Sequence, residues 1–163
     1  MAEDLTDFAK ARKDLIWGMY TDTRTHARHA EVLRSNVVNF MIVVASVLVA
    51  VIANDGTVGR SELPLCVAVG LAGLLGLAFA ASYTELFERN RRRALRFRDQ
   101  LDQEFLKEGP VTIAALLEQA DEHHQAGRLY RRTRRVIGTT QRFWYLLPTF
   151  VLVTGVLLTV AAV

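Results

Sequence analysis

The sequence predicts an all-α membrane protein: a two-span helical hairpin plus a third transmembrane helix, with long cytoplasmic helices. Three stretches, 37–54, 63–84 and 143–163, contain no charged residue. Each has at least the roughly 18 residues needed to cross a hydrocarbon core of about 30 Å. The rest of the 163-residue chain is rich in charge, yet the mean hydropathy is positive at +0.17. This segregation favours membrane spans over a soluble core.

The basic residues predict the orientation. Six of the 20 Lys and Arg precede the first stretch and thirteen lie between the second and third, whereas only Arg60 lies between the first and second. Because cytoplasmic flanks collect Lys and Arg, we expect the N-terminus inside and the C-terminus outside the bacterial inner membrane. The first 36 residues lack an apolar segment followed by a small-residue cleavage site, so no signal peptide is expected.

The N-terminal part is expected to be helical up to the first turn. An apolar stripe at helical spacing runs from Leu5 to Met19, a segment with almost no large apolar residue follows over 20–30, and the stripe resumes at Leu33. No strong breaker separates this part from the first span. Asn54-Asp55-Gly56 predicts a turn, and Ser61 is expected to cap the second span. The predicted order of parts is a cytoplasmic N-terminal helix (1–36), a transmembrane hairpin (37–84), cytoplasmic basic helices (85–142) and the third transmembrane helix (143–163).

The second half of the chain is expected to contain long helices. No breaker follows the second span until Gly109-Pro110, so this helix should continue into the cytoplasm for a total of about forty residues. A further helix is predicted over 113–137, with Gly127 as a weak point. Pro148 is expected in the first turns of the third span, where it is tolerated.

Several classes of function are disfavoured by what the sequence lacks. It has no Gly-rich phosphate loop, no zinc-type Cys/His set and no nucleophile with an obvious base. The predicted spans contain no ionisable residue, which argues against a proton relay. We therefore expect no enzyme activity, no cofactor and no metal. Cys66 is the only cysteine, so it forms no intrachain disulfide and is expected to be a small packing residue.

Two histidine clusters have the spacing of metal ligands. Asp22, His26 and His29 share one helical face, and Glu122 precedes His123-His124. Either cluster has too few donors to define a site, and solvated polar helix faces are the favoured interpretation.

A polar stripe runs along the first span. Asn39 and Ser46 are seven residues apart, and Asn36 lies on the same stripe. An amide inside a bilayer must find a partner, so Asn39 should face protein or water. The stripe is interpreted either as the lining of a pore or as a contact between helices.

Small residues follow one another at helical spacing in the second span. The candidate oligomer-packing residues are Ala72, Gly73, Gly76 and Ala80. Such patterns allow two backbones to approach closely, and small residues on two faces predict a homo-oligomer. Three helices cannot enclose an aqueous path, so a channel would need several subunits.

Two arginine-rich runs, 89–98 and 128–142, flank the predicted membrane boundary. They hold more charge than orientation requires, and stacked in an oligomer they would attract nucleotides, oligonucleotides or lipid phosphate. The candidate anion-binding residues are Arg91, Arg92, Arg131 and Arg135. The alternative is that the runs only set orientation and pair with acidic neighbours, among them Asp102 and Glu104, at helical spacing.

The order of parts resembles the SLATT group of bacterial membrane effectors. The resemblance is carried by an N-terminal helix with Trp17 and Tyr20, a tight two-span hairpin and a long charged helix continuing from the second span. It covers residues 5–135, and the added third span departs from the two-span pattern. The resemblance implies an oligomeric pore-former acting in defence against phage, coupled to a nucleotidyltransferase-type partner and a nucleotide signal.

The leading expectation is therefore a gated ion channel or pore in the lipid bilayer, controlled by a cytoplasmic nucleotide, oligonucleotide or protein partner. The alternative is a non-conducting membrane scaffold whose cytoplasmic helices dock a soluble protein.

Overall fold

The computed structural model describes residues 2–54, 58–107, 111–125, 127, 130–131 and 140–163. The described residues have an all-α architecture, as predicted. The elements are helix α1 (Ala2–Asn54), a turn of 3₁₀ helix (Arg60–Glu62), α2 (Leu63–Phe105), α3 (Ile113–Gln125) and α4 (Thr140–Ala162).

Three of the described helices are long and apolar enough to cross a membrane. The candidate spans lie within Thr6–Asn54, Arg60–Phe105 and Arg142–Ala162. In α2, 33% of the most apolar stretch is buried, whereas the corresponding share is 17% in α1 and 17% in α4. The second span is therefore the one most enclosed by its neighbours.

The two long helices are continuous, which confirms two predictions. α1 runs for 53 residues and α2 for 43. The polar middle of α1 is helical as well, and its threonine hydroxyls donate to backbone carbonyls one turn earlier, as Thr23 does to Met19 at 2.8 Å. The predicted breaks at 55–56 and 109–110, and most of the predicted helix beyond Gln125, lie outside the described residues.

The chain divides into two compact units. The charged unit comprises Met1–His29 and Leu86–Val136, and the apolar unit comprises Ala30–Glu85 and Ile137–Val163. The core of the apolar unit is formed by side chains of α1, α2 and α4. Its buried members are Ala45, Ile52, Cys66, Val69, Ala72 and Ala162. Cys66 is fully buried there, in agreement with its predicted packing role.

Glycines bring the backbones of α2 and α4 into direct contact. A Cβ added at Gly155 would collide with the backbone of Gly70, and one added at Gly73 would lie 2.6 Å from the Cα of Leu152. Pro148 packs against Gly76. Pro148 is the ninth residue of α4 and not in its first turn, because this helix begins at Thr140.

The start of α2 differs from the prediction. Ser61 does not cap the helix, because it lies inside the 3₁₀ turn and its hydroxyl donates to Glu62 at 2.7 Å. Glu62 in turn accepts the backbone N–H of Gly59 at 2.8 Å. These two hydrogen bonds stabilise the carboxylate and lower the pKa of Glu62.

The charged unit is organised by Asp102 of α2. Its buried carboxylate accepts the backbone N–H groups of Ile113 and Ala114, each at 2.9 Å, and so caps α3. Glu104 pairs with Arg12 of α1 at 2.8 Å. Asp102 and Glu104 thus find partners on α3 and α1, whereas Glu88 pairs with Arg91 of its own helix at 3.8 Å, as the alternative interpretation describes.

Candidate functional site

The predicted polar stripe lies on the surface of the apolar unit. Asn36, Asn39 and Ser46 are all exposed on α1, on the side that the core does not use. Ser46 donates to the carbonyl oxygen of Ile42 at 2.8 Å. Among the residues that the structure describes, neither asparagine amide has a hydrogen-bond partner. The described residues thus leave the two amides of this stripe exposed and without a hydrogen-bond partner.

A groove of about 460 Å³ runs beside the stripe, between α1 and α4. Ser46 and Thr154 contribute hydroxyl groups to it, and α2 contributes Val69. The lining residues are Ala45, Ser46, Val49, Ala50, Ala53, Val69, Phe150, Val151 and Thr154. Because three of the residues from α1 are alanines, the groove is wide enough to accept bulky apolar groups.

The predicted oligomer-packing residues are occupied within the chain. Gly73 and Gly76 face Leu152 and Pro148 of α4, and Ala72 and Ala80 are buried. The helix α4 of the same chain therefore explains the small size of Gly73 and Gly76, and the exposed stripe and groove on α1 are one surface available to another subunit.

Arg34 was not singled out by sequence, yet it joins all three helices of the apolar unit. Only 3% of the residue is exposed. Its Nη1 donates to Oγ1 of Thr84 at 3.0 Å, and its guanidinium carbon lies 4.8 Å from the centroid of the Trp144 ring. Its Nη2 is 3.8 Å from the half-exposed carboxylate of Glu31. Sequence reasoning missed it because Arg34 looked like one more orientation-setting charge.

The same contact leaves two donors unpaired. In the part of the chain that the structure describes, Nε of Arg34 and Nε1 of Trp144 are buried and have no acceptor. A buried donor without an acceptor costs about 1–3 kcal/mol. Two such donors lie here on side chains in contact with each other.

The predicted anion-binding residues are solvent-facing where they are described. Arg91 and Arg92 are exposed on α2, and Arg91 lies 3.8 Å from Glu88. Arg131 is exposed as well, and Arg135 lies outside the described residues. Arg91 and Arg92 thus present an exposed basic surface, on which Glu88 partly neutralises Arg91.

The charged unit also carries exposed apolar residues along α1. The aromatic pair Trp17 and Tyr20 has ring centroids 5.5 Å apart. Trp17 lines a cavity of about 330 Å³ with residues of α2 and α3. A second cavity, of about 480 Å³, is lined by Phe8, Ala11, Arg12, Leu15, Ile16, Met19, Phe97 and Gln100.

Glu104 is fixed from two sides. It accepts a hydrogen bond from Gln100 at 2.9 Å and from Arg12 at 2.8 Å. These two donors, the amide first and the guanidinium second, lower the pKa of the Glu104 carboxyl below its ordinary value of 4.5.

The first histidine cluster contains one close contact among the described residues. His26 lies 3.5 Å from Asp22, and both are exposed. No group of three or more metal-ligating side chains occurs among the described residues. The side chains of His123 and His124 are not among them.

Comparisons of this chain with protein families, with curated proteins and with solved structures find no match.

Proposed function

We propose that this chain is an oligomeric membrane effector whose transmembrane helices form a gated ion path. The observation that carries the proposal is the exposure of Asn39 and Ser46 on a side of α1 outside the core. In a bilayer, an amide on such a face finds a partner only in water or in another subunit. Several copies that turn this face towards a common axis provide both.

The number of helices supports an assembly of several subunits. Three helices fill the space between them with side chains, as the core of the apolar unit does here. An aqueous path therefore lies between chains. The groove next to Ser46 offers the recess in which a helix of the neighbouring subunit packs.

The charge distribution supports the orientation and the control of the path. Of the 20 Lys and Arg, 19 lie outside the short connection between the first and second spans. Because cytoplasmic flanks collect Lys and Arg, the charged unit lies in the cytoplasm of a bacterial cell. Exposed arginines such as Arg91, Arg92 and Arg131 bind an anionic nucleotide or oligonucleotide there. The resemblance to the SLATT effectors adds a biological setting, defence against phage, and a nucleotidyltransferase-type partner.

Flux from liposomes tests the proposal. Purified protein is reconstituted into vesicles loaded with a potassium-sensitive dye, and flux is recorded with and without nucleotides and short oligonucleotides. We expect flux that depends on protein and changes with ligand. Sealed vesicles under every condition, with the protein folded and oligomeric, would overturn the channel.

A non-conducting scaffold is the second candidate, favoured by one observation on the charged unit. Phe8, Leu15, Trp17 and Met19 are exposed and line two cavities. An exposed apolar patch of this kind marks a protein interaction site. A stable homo-oligomer in detergent supports the channel, whereas a monomer that co-purifies with one soluble protein supports the scaffold.

A further inference from the structure

Three residues meet at one end of the apolar segments. Arg34 lies three residues before the stretch 37–54, Thr84 is the last residue of 63–84, and Trp144 is the second of 143–163. At 1.5 Å per residue, Arg34 stands about 4.5 Å outside the apolar boundary. The headgroup layer adds roughly 5–7 Å on each side of the hydrocarbon core. In a bilayer, this cluster therefore lies at the level of the lipid phosphates.

The cluster has more donors than acceptors. Thr84 accepts one hydrogen bond from Arg34. The half-exposed carboxylate of Glu31 lies 3.8 Å from the guanidinium of Arg34. Nε of Arg34 and Nε1 of Trp144 remain buried without acceptors. Both nitrogens belong to groups in mutual contact, because the guanidinium carbon lies 4.8 Å from the centroid of the Trp144 ring.

We propose that Arg34 and Trp144 form a binding site for a phosphate group at the membrane boundary. A phosphate offers several oxygens on one tetrahedral centre, so one oxygen accepts from the guanidinium and another from the indole. It also brings the negative charge that a buried guanidinium requires. Both donors are buried, so binding requires a shift of the Trp144 ring. The half-exposed carboxylate of Glu31 must turn away from the phosphate, because the two anions repel each other.

The alternative occupant is a single water molecule. Water supplies acceptor lone pairs but no charge, so the guanidinium of Arg34 would keep only the partial neutralisation that Glu31 gives.

The site needs only that the spans cross a bilayer. It does not depend on an ion path, and it stands if the liposomes remain sealed.

Fluorescence of Trp144 tests the proposal directly. The chain contains two tryptophans, Trp17 and Trp144, so Trp17→Phe leaves Trp144 as the only reporter. The protein in detergent is titrated separately with three probes: dioctanoyl phosphatidylglycerol, dioctanoylglycerol, which lacks phosphate, and inorganic phosphate. We expect saturation with phosphatidylglycerol and none with dioctanoylglycerol.

The third probe distinguishes the source of the phosphate. Saturation by phosphatidylglycerol at much lower concentration than by inorganic phosphate assigns the site to a lipid. Saturation by both at similar concentrations assigns it to free phosphate. Equal responses to the lipids with and without phosphate would overturn the proposal, because they would report insertion of acyl chains alone.

Variants locate the response at the two donors. In the Trp17→Phe background, Arg34→Gln is expected to weaken phosphatidylglycerol binding by at least about tenfold, and Arg28→Gln, exposed on the same helix, serves as the control for general attraction. Trp144→Phe in the wild-type chain keeps a ring against Arg34 but removes the indole N–H. Native mass spectrometry should then show less retained phosphatidylglycerol. If the protein with Trp144→Phe is folded and retains as much as wild type, a phosphate bridge between the two donors is ruled out.

Discussion

Nη2 of Arg12 and Oε1 of Glu104 are 2.8 Å apart, although 92 residues separate them in the chain. This pair joins the start of α1 to the end of α2 within the charged unit, and the lowered pKa of Glu104 makes it sensitive to acid. A carboxyl whose pKa is lower in the folded state stabilises the fold above its unfolded value, and this stability is lost as the pH falls through the folded value.

The first prediction concerns this acid sensitivity. Glu104→Gln should remove the part of the pH dependence that lies below the ordinary carboxyl pKa of 4.5. The measurement is the Tm of the detergent-solubilised protein between about pH 3 and pH 7. Glu118→Gln, exposed on α3, is the matched control. If both variants show the same pH profile, Glu104 has no special role.

The second prediction concerns the cap of α3. Asp102→Ala leaves the N–H groups of Ile113 and Ala114 without an acceptor and should cost about 1–3 kcal/mol of stability. Hydrogen exchange of these two amides should accelerate, and denaturant unfolding should show the loss. Asp99→Ala is the control, because Asp99 is exposed and bonds only to the neighbouring Arg98 among the described residues. Equal costs for the two variants would contradict the capping role.

The third prediction compares two Gly→Ala substitutions in helices. Gly155→Ala places a methyl group against the backbone of Gly70 and should destabilise the apolar unit by about 1–3 kcal/mol. Gly18→Ala has open space around it and should stabilise α1 by about 0.5–1 kcal/mol. Thermal unfolding in one detergent measures both. A shift of the same sign in the two variants would refute the close contact between α2 and α4.

The fourth prediction tests whether the polar stripe on α1 faces water or contacts another helix. Asn39→Leu removes an exposed amide from α1, so it should change ion flux from liposomes severalfold if the stripe faces water. Val51→Leu, also exposed on α1 but away from the stripe, should leave flux as in wild type. If Asn39→Leu lowers oligomer stability and leaves flux per oligomer unchanged, the stripe is a contact between helices.

The sequence predicts the helices better than their partners. The course of α1 and α2 follows from the lack of proline in α1, and in α2 beyond Pro64 in its first turn, a local property that the sequence records directly. The small residues of α2 indicate that some backbone comes close, but they do not say which one. Gly73 therefore pointed to a second subunit, whereas its neighbour is Leu152 of the same chain.

The candidate sites show the same division. The spacing of polar residues on one helix indicated the stripe that contains Asn39, and it left open whether the stripe faces water or another helix. The roles of Arg34 and Asp102 did not, because each depends on contacts with residues of other helices, such as Trp144 for Arg34 and Ile113 for Asp102. A single sequence contains no signal for such distant pairings.

The burial of Cys66 makes the native chain its own reporter. Its thiol is the only one in the protein and has no exposed surface, so a maleimide reacts with it only while the helices around it are apart. If alkylation is faster than reclosing of the helices, its rate equals the rate at which they separate. If alkylation is slower, its rate reflects the equilibrium between the closed and separated helices. Anyone who adds a candidate ligand or lipid can read its effect on the transmembrane bundle as a labelling half-time, without introducing a probe.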